Sequence, residues 1–125
     1  MSVAGPSLVC MAYDEALAAR LRDLLVTEPS VAGHEVTEKR MFGGLAFLVG
    51  GNMAVAASGQ GGLLVRIEPA EGEQLVATTP ASPMQMRGRE LSGWLRVDAD
   101  DVADDASLGA WVHRGASYAA SLPAK

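Results

Sequence analysis

The chain has 125 residues, enough for one domain, and its 49% hydrophobic and 20% charged residues exclude a protein that is disordered throughout. A net charge of −5 argues against direct DNA binding, because neutralising duplex phosphates requires a basic surplus. The single cysteine, Cys10, excludes an internal disulfide and a thiolate metal site, and it fits a reducing, cytoplasmic compartment.

The N-terminal part of the chain predicts one amphipathic helix. We expect residues 1–12 to form a flexible extension and residues 13–125 to form the folded domain. Tyr13 to Val26 carries an apolar stripe at helical spacing, Asp14 is a suitable N-cap, and Pro29 disfavours continuation. The stripe consists of Leu17, Leu21, Leu24 and Leu25.

From Val36 onward, short apolar runs alternate with turns rich in glycine and asparagine. This pattern is typical of antiparallel hairpins, in which glycine supplies the positive φ that tight turns need. A proline-started helix should follow at Pro69–Val76, and then two further strands before the last helix. The predicted strands cover residues 36–42, 45–49, 53–57, 63–67, 84–86 and 93–97.

The last predicted helix carries Leu108, Trp111 and Val112 on one face, with Asp104 or Asp105 as N-cap and Pro123 after its end. Runs of neighbouring strands flanked by helices indicate an α+β fold. We therefore predict a curved antiparallel sheet, a meander of about five to six strands, flanked by N- and C-terminal helices.

Residues that could carry chemistry do not form a catalytic set in the sequence. His34 and His113 have no second ligand at zinc spacing, and Cys10 has no neighbouring base. The glycine clusters lack the lysine and helix of a phosphate loop, and no serine lies in a nucleophile elbow. We expect no enzymatic activity, no metal site and no cofactor, and no apolar run approaches the ~20 residues of a membrane span.

The basic residues of the central region leave two alternatives open. They are scattered solubilising charges, or they converge across the sheet near Trp94 and receive an anion or an acidic partner, since arginine's planar fork suits carboxylates and phosphates. Met41, Phe42, Gly43 and Gly44 are expected to be mostly structural, as a strand that ends in a glycine bend. The candidate binding residues are Lys39, Arg40, Arg66, Arg87, Arg89, Trp94 and Arg96.

The string Arg40-Met41-Phe42-Gly43-Gly44 after an amphipathic helix resembles the N-terminal domain of the TfoX/Sxy family of competence regulators. Weaker matches lie at Gly51 to Ala54, at Gly93 to Val97 and in the last helix. The resemblance implies a fold similar to secretion-chaperone-like α+β domains. It also implies a role in transcriptional activation of DNA-uptake genes alongside a cyclic-AMP-responsive activator, and it brings no catalytic residues.

Two functional hypotheses follow. The first is a non-enzymatic, cytoplasmic interaction module that regulates transcription or competence through protein partners. The alternative is a small-ligand or anion-binding domain, with an unrecognised enzymatic step, that uses a groove near Arg40, Arg87, Trp94 and Arg96. In either case the edge strand of a meander can pair across a two-fold axis, which predicts a homodimer.

Overall fold

The computed structural model describes residues 14–41, 43–86 and 88–123. Along these residues the chain forms a helix, four strands, a short helix, two strands and a helix, which confirms the predicted α+β class. The elements are α1 (Glu15–Thr27), β1 (Val36–Met41), β2 (Gly44–Val49), β3 (Asn52–Ala57), β4 (Leu63–Arg66), α2 (Gly72–Thr78), β5 (Ser82–Met86), β6 (Arg89–Val97) and α3 (Asp105–Ser121).

Both long helices begin at the aspartates that the sequence suggests. A carboxylate oxygen of Asp14 accepts a hydrogen bond from the backbone N–H of Leu17 at 3.0 Å. Asp104 accepts from the backbone N–H of Ser107 at 2.8 Å, and this bond lowers the pKa of Asp104. Each cap satisfies an N–H that the first helical turn leaves without a partner.

The six strands form one antiparallel sheet in the order β1-β2-β3-β4-β6-β5. The first four strands are a meander, as predicted. After β4 the chain leaves the sheet through the turn Pro69–Glu71 and α2, and it returns as β5 at the outer edge. The strand β6 then fills the position between β4 and β5, so the meander does not extend to the last two strands.

The main hydrophobic core lies between one face of the sheet and the helices. Side chains alternate between faces along a strand, and the register places Leu45, Phe47 and Val49 of β2 on this side. The buried apolar residues of all three helices belong to this core, among them Leu21, Leu75, Leu108, Val112 and Ala116.

A second, smaller hydrophobic cluster lies on the other face of the sheet, and within the described residues it contains strand residues only. We call this side of the sheet the open face. Four of its members are fully or almost fully buried, and four are half-buried. The buried members are Ala46, Ala56, Leu64 and Met84, and the half-buried ones are Met41, Leu48, Met53 and Trp94.

Candidate functional site

The structure does not gather the predicted basic residues into one groove. Lys39 and Arg40 are exposed on β1, at one edge of the sheet. Successive residues of a strand point to opposite faces, so Lys39 lies on the open face and Arg40 on the helix side. Trp94 is on β6, four strand spacings away, a separation of about 19 Å. Arg40 and Trp94 therefore do not line the same groove.

Arg66 and Trp94 are the predicted site residues that the structure brings into contact. They are register partners on β4 and β6. The guanidinium carbon of Arg66 lies 5.7 Å from the centre of the Trp94 ring and 5.6 Å from the centre of the Tyr118 ring on α3. Both distances allow cation–π attraction, so the two rings hold the guanidinium in place.

Arg96 shares the open face with Trp94 but is tied to the loop between β3 and β4. Its guanidinium donates to the Ser58 hydroxyl at 3.3 Å and approaches the Gln60 carbonyl at 3.5 Å. Asp98 also lies nearby, with 3.9 Å between its carboxylate and the Arg96 Nε. These contacts give Arg96 a structural role at this end of the sheet.

The remaining predicted residues fall at turns or outside the described part of the chain. Arg89 is exposed at the first position of β6. Arg87 and Phe42 lie outside the described residues, as does Cys10. Whether Arg87 or Arg89 binds anything stays a prediction.

Two positions of the family-like motif, 43 and 44, require glycine for different structural reasons. Gly43 has a φ of +74°, a region that side-chain-bearing residues rarely adopt. Gly44 lacks this restriction, but a Cβ on it would lie 2.1 Å from the carbonyl oxygen of Ala57 and 2.9 Å from the Gly59 nitrogen. The β1–β2 turn thus packs directly on the backbone after β3, while Met41 joins the open-face cluster.

An ion pair that the sequence did not suggest joins α1 to the edge strand. The Nε of Arg22 lies 2.6 Å from one carboxylate oxygen of Glu38, and its second nitrogen lies 2.9 Å from the other. This two-pronged hydrogen bond from Arg22 lowers the pKa of Glu38. The Arg22 guanidinium also lies 5.9 Å from the centre of the Phe47 ring, which places it against the main core.

A second unforeseen contact joins the end of α1 to α3 through Glu28. Its carboxylate, 8% exposed, accepts from the backbone N–H of Ser30 at 3.1 Å, from the Ser30 hydroxyl at 2.6 Å and from Nδ1 of His113 at 2.8 Å. Burial raises the pKa of Glu28, but the bonds from Ser30 and the contact with His113 outweigh burial and lower it below its ordinary value. His113 is thus an interhelical tether rather than an isolated surface residue.

Glu28→Gln should make the protein less sensitive to acid. Because the folded-state pKa lies below the unfolded value of about 4.3, the carboxylate stabilises the fold above that value and loses its effect as the pH falls through the folded pKa. We expect the variant to be less stable by about 1–2 kcal/mol at pH 7, with a difference that shrinks toward pH 3. Urea unfolding at several pH values measures it.

The matched control for this test is Glu35→Gln, an exposed carboxylate just before β1. It should change the unfolding free energy by less than about 0.5 kcal/mol at every pH. A Glu28→Gln variant whose deficit stays constant from pH 7 to pH 3 would contradict the assigned role of this carboxylate.

An apolar groove of about 470 Å³ runs beside Trp94, between α2 and the β5–β6 pair. Its volume lies within the range of small-ligand sites. Charged lining is sparse, and the charged residue that reaches it is acidic rather than basic. The groove therefore does not fit the predicted anion site. Lining residues include Ile67, Pro69, Glu73, Val76, Pro83 and Trp94.

Residues 14–41, 43–86 and 88–123 contain neither a metal-type cluster nor a membrane-spanning helix. No three His, Cys, Asp or Glu side chains cluster there as a metal site would require. None of the helices in this part of the chain is both long and apolar enough to cross a bilayer.

Comparison with known proteins identifies a family. No curated protein and no solved structure matches the chain. A family model described as the TfoX N-terminal domain matches residues 31–119, well over half of the chain. The matched range contains all six strands, the Gly43-Gly44 turn and the Arg66–Trp94 pair. The chain therefore belongs to the TfoX N-terminal domain family.

Proposed function

We propose that this chain is a non-enzymatic, cytoplasmic interaction module that acts in transcriptional regulation through protein partners and does not bind DNA directly. Family membership supports the regulatory class. The observation that carries the interaction role is the open face, where the hydrophobic cluster of the described residues is built from strands alone.

The composition of the open face supports protein binding. A sheet normally buries each apolar face against another layer, yet within the described residues no helix joins this cluster, and its half-buried members stay partly accessible to a partner. Three methionines, Met41, Met53 and Met84, lie in this cluster. Methionine is flexible and polarisable, so such a surface can adapt to the shape of a partner. Trp94 adds a residue type enriched at the energetic centres of interfaces.

Groove binding at Arg40, Arg87, Trp94 and Arg96 has less support. Arg40 and Trp94 lie on different faces of strands that are about 19 Å apart, and Arg96 is engaged with the β3–β4 loop. Direct DNA binding is disfavoured by the net charge of −5.

The experiment is a quantitative pull-down from the native cytosol with the wild-type chain and with Met53→Glu, which places a charge on the open face. The wild type should enrich a component of the transcription machinery. The enrichment by the variant should be about tenfold lower than that by the wild type, because desolvating an unpaired charge at an interface is costly. Mass spectrometry with isotope labels measures both.

Val26→Glu is the matched control, since Val26 is 78% exposed on α1 and lies away from the open face. It should leave the enrichment unchanged, and thermal melts confirm that all three proteins fold. Capture of metabolic enzymes alone, or equal capture by wild type and Met53→Glu, would contradict the proposed function.

A further inference from the structure

The strand β1 is an edge of the sheet without the features that usually protect an edge. All its residues from Val36 to Arg40 are exposed, and its pairing with β2 has no register shift. The opposite edge strand, β5, contains Pro83 and a register shift between Pro83 and Gln85, two features that discourage the addition of a strand. A further strand can therefore pair regularly with β1.

The backbone of β1 presents hydrogen-bonding groups at strand spacing. The N–H of Gly50 donates to the carbonyl oxygen of Glu35 at 2.8 Å, and in an antiparallel pair such bonding recurs at every second residue. The odd-numbered residues of β1 therefore bond to β2, whereas the N–H and C=O groups of Val36, Glu38 and Arg40 point away from the sheet. Among the described residues, no hydrogen bond reaches these outward groups. They recur at about 7 Å, the two-residue repeat of an extended chain, so a strand satisfies them and a helix does not.

An apolar groove of about 740 Å³ lies beside this edge, between β1 and α1. Val26 and Val36, the exposed large apolar residues of the described part of the chain, both line it, with exposures of 78% and 38%. Val36 lies on the helix side of β1, and a strand added to β1 would turn every second side chain toward the same side. The other apolar lining residues are Leu25, Val31 and Phe47.

The charged lining of this groove is internally paired. Arg22 and Glu38 both line the groove, and they neutralise each other in the ion pair described above. His34 is the remaining ionisable residue of the lining. An uncharged, aliphatic side chain therefore fits the groove better than a charged one, which would lose its hydration without gaining a partner.

A second copy of the chain fits this edge less well. Two copies of β1 can pair across a two-fold axis, but the axis places one residue opposite its own copy. In the two registers that overlap most of β1, this residue is Glu38 or Lys39, so like charges are directly opposed. The charges of β1 therefore act against self-pairing and leave the edge to a strand of another protein.

We propose that β1 accepts an extended segment of a partner protein as an additional antiparallel strand, with an aliphatic side chain of that segment in the groove between α1 and β1. Main-chain hydrogen bonds to Val36, Glu38 and Arg40 hold the segment, and the groove selects its side chain, as in other strand-addition complexes. Antiparallel pairing continues the pattern of the sheet. The site is the edge and helix side of β1 rather than the open face, so the inference goes beyond the proposed function.

The test begins with random 12-residue peptides displayed on phage and selected against the full chain. The enriched peptides should carry Val, Ile or Leu at alternate positions. Hydrogen exchange of the backbone amides, followed by NMR, then locates the bound peptide. In the free chain the amides of Val36, Glu38 and Arg40 should exchange at least about tenfold faster than those of the odd-numbered residues of β1, and saturating peptide should slow them about tenfold.

Arg40→Pro tests the main-chain hydrogen bonds. Proline removes one outward N–H and spares the bonds to β2, because position 40 points its N–H away from the sheet. Peptide affinity, measured by fluorescence anisotropy, should fall about tenfold. Arg40→Ala is the matched control, since it removes the side chain but retains the N–H, and it should bind the peptide as tightly as the wild type. Thermal melts show whether both variants fold.

Two further variants separate this site from the open face. Val26→Glu places a charge in the groove and should weaken peptide binding about tenfold, while the Met53-dependent capture stays unchanged. Met53→Glu should have the reverse effects. A failed peptide selection would therefore remove the strand site and leave the proposed function standing, whereas a pull-down that is insensitive to Met53→Glu would remove the proposed function alone.

Several outcomes would overturn the inference. They are the absence of enriched peptides, peptides without alternating aliphatic residues, equal losses for Arg40→Pro and Arg40→Ala, and a peptide that Met53→Glu displaces. Outward amides of β1 that are already protected in a monomeric free chain would assign the edge to another segment of the same chain. A dimer that Arg40→Pro dissociates in light scattering would assign the edge to a second copy.

Discussion

Gly44→Ala is expected to lower the free energy of unfolding by about 3 kcal/mol, the upper end of overpacking penalties. A Cβ at this position would lie 2.1 Å from the carbonyl oxygen of Ala57 and 2.9 Å from the nitrogen of Gly59. Both neighbours are backbone atoms, so no side-chain rotation relieves the overlap. The β1–β2 turn and the segment after β3 would have to separate, and this would disturb the register on the open face.

Thermal and urea unfolding of Gly44→Ala measure this cost, and we expect the melting temperature to fall by about 10 °C. Gly72→Ala is the control. Gly72 is the first residue of α2, has a negative φ, and its Cβ would lie 3.7 Å from a methyl group of Ile67, an ordinary contact. This control should be neutral or slightly stabilising. A Gly44→Ala protein as stable as the wild type would contradict the close approach of the β1–β2 turn to the backbone of Ala57 and Gly59.

Gly115→Ala should lower the unfolding free energy by about 2–3 kcal/mol. Gly115 lies in the middle of α3, where a Cβ would be 2.5 Å from the carbonyl oxygen of Ala54 and 3.0 Å from a methyl group of Val55. The glycine permits the helix to approach β3 closely. Alanine would push α3 away from the sheet and loosen the packing of Val112 and Ala116 in the main core.

Gly109→Ala, in the same helix, should have the opposite sign. A Cβ at Gly109 meets no atom within 4 Å, and alanine is the better helix former, so we expect a gain of about 0.5–1 kcal/mol. Chemical denaturation of the two single variants gives both values. If both substitutions stabilise the protein, this result would contradict the close contact between α3 and β3 at Gly115.

Local signals in the sequence predicted the elements well, because they depend on neighbours in the chain. The apolar stripe and the N-cap Asp14 specified α1, and Asp104 specified the start of α3. Glycine-rich turns separated the first four strands at the predicted positions. The strand β6 is longer than predicted, starting at Arg89 rather than Gly93, because its first half pairs only with β5 and carries no alternating apolar pattern that would reveal it.

The placement of the candidate site could be predicted only in part. Alternation along a strand correctly put Trp94 and Arg96 on one side and Leu95 and Val97 on the other. The same rule could not tell which strands are neighbours. The insertion of β6 between β4 and β5 brings Arg66 to Trp94 and leaves Lys39 at the far edge.

The contacts of Glu28 and Arg22 had no signal in the sequence. Glu28 and His113 are 85 residues apart, and Arg22 and Glu38 are 16 residues apart with a turn between them. Neither pair has a spacing that a helix or a strand would impose. Only the packing of α1 and α3 on the same side of the sheet brings these groups together.

The sequence alone determined the type of the main elements, the ends of the two long helices and the family, because caps, turns and periodicity are properties of short segments; the short helix α2, predicted at Pro69–Val76, lies at Gly72–Thr78. The tertiary structure decided the order of the last two strands, the requirement for glycine at position 44 and which apolar side chains share the open face. Each of these depends on which distant segments meet, and that choice is made by the burial of the main core as a whole.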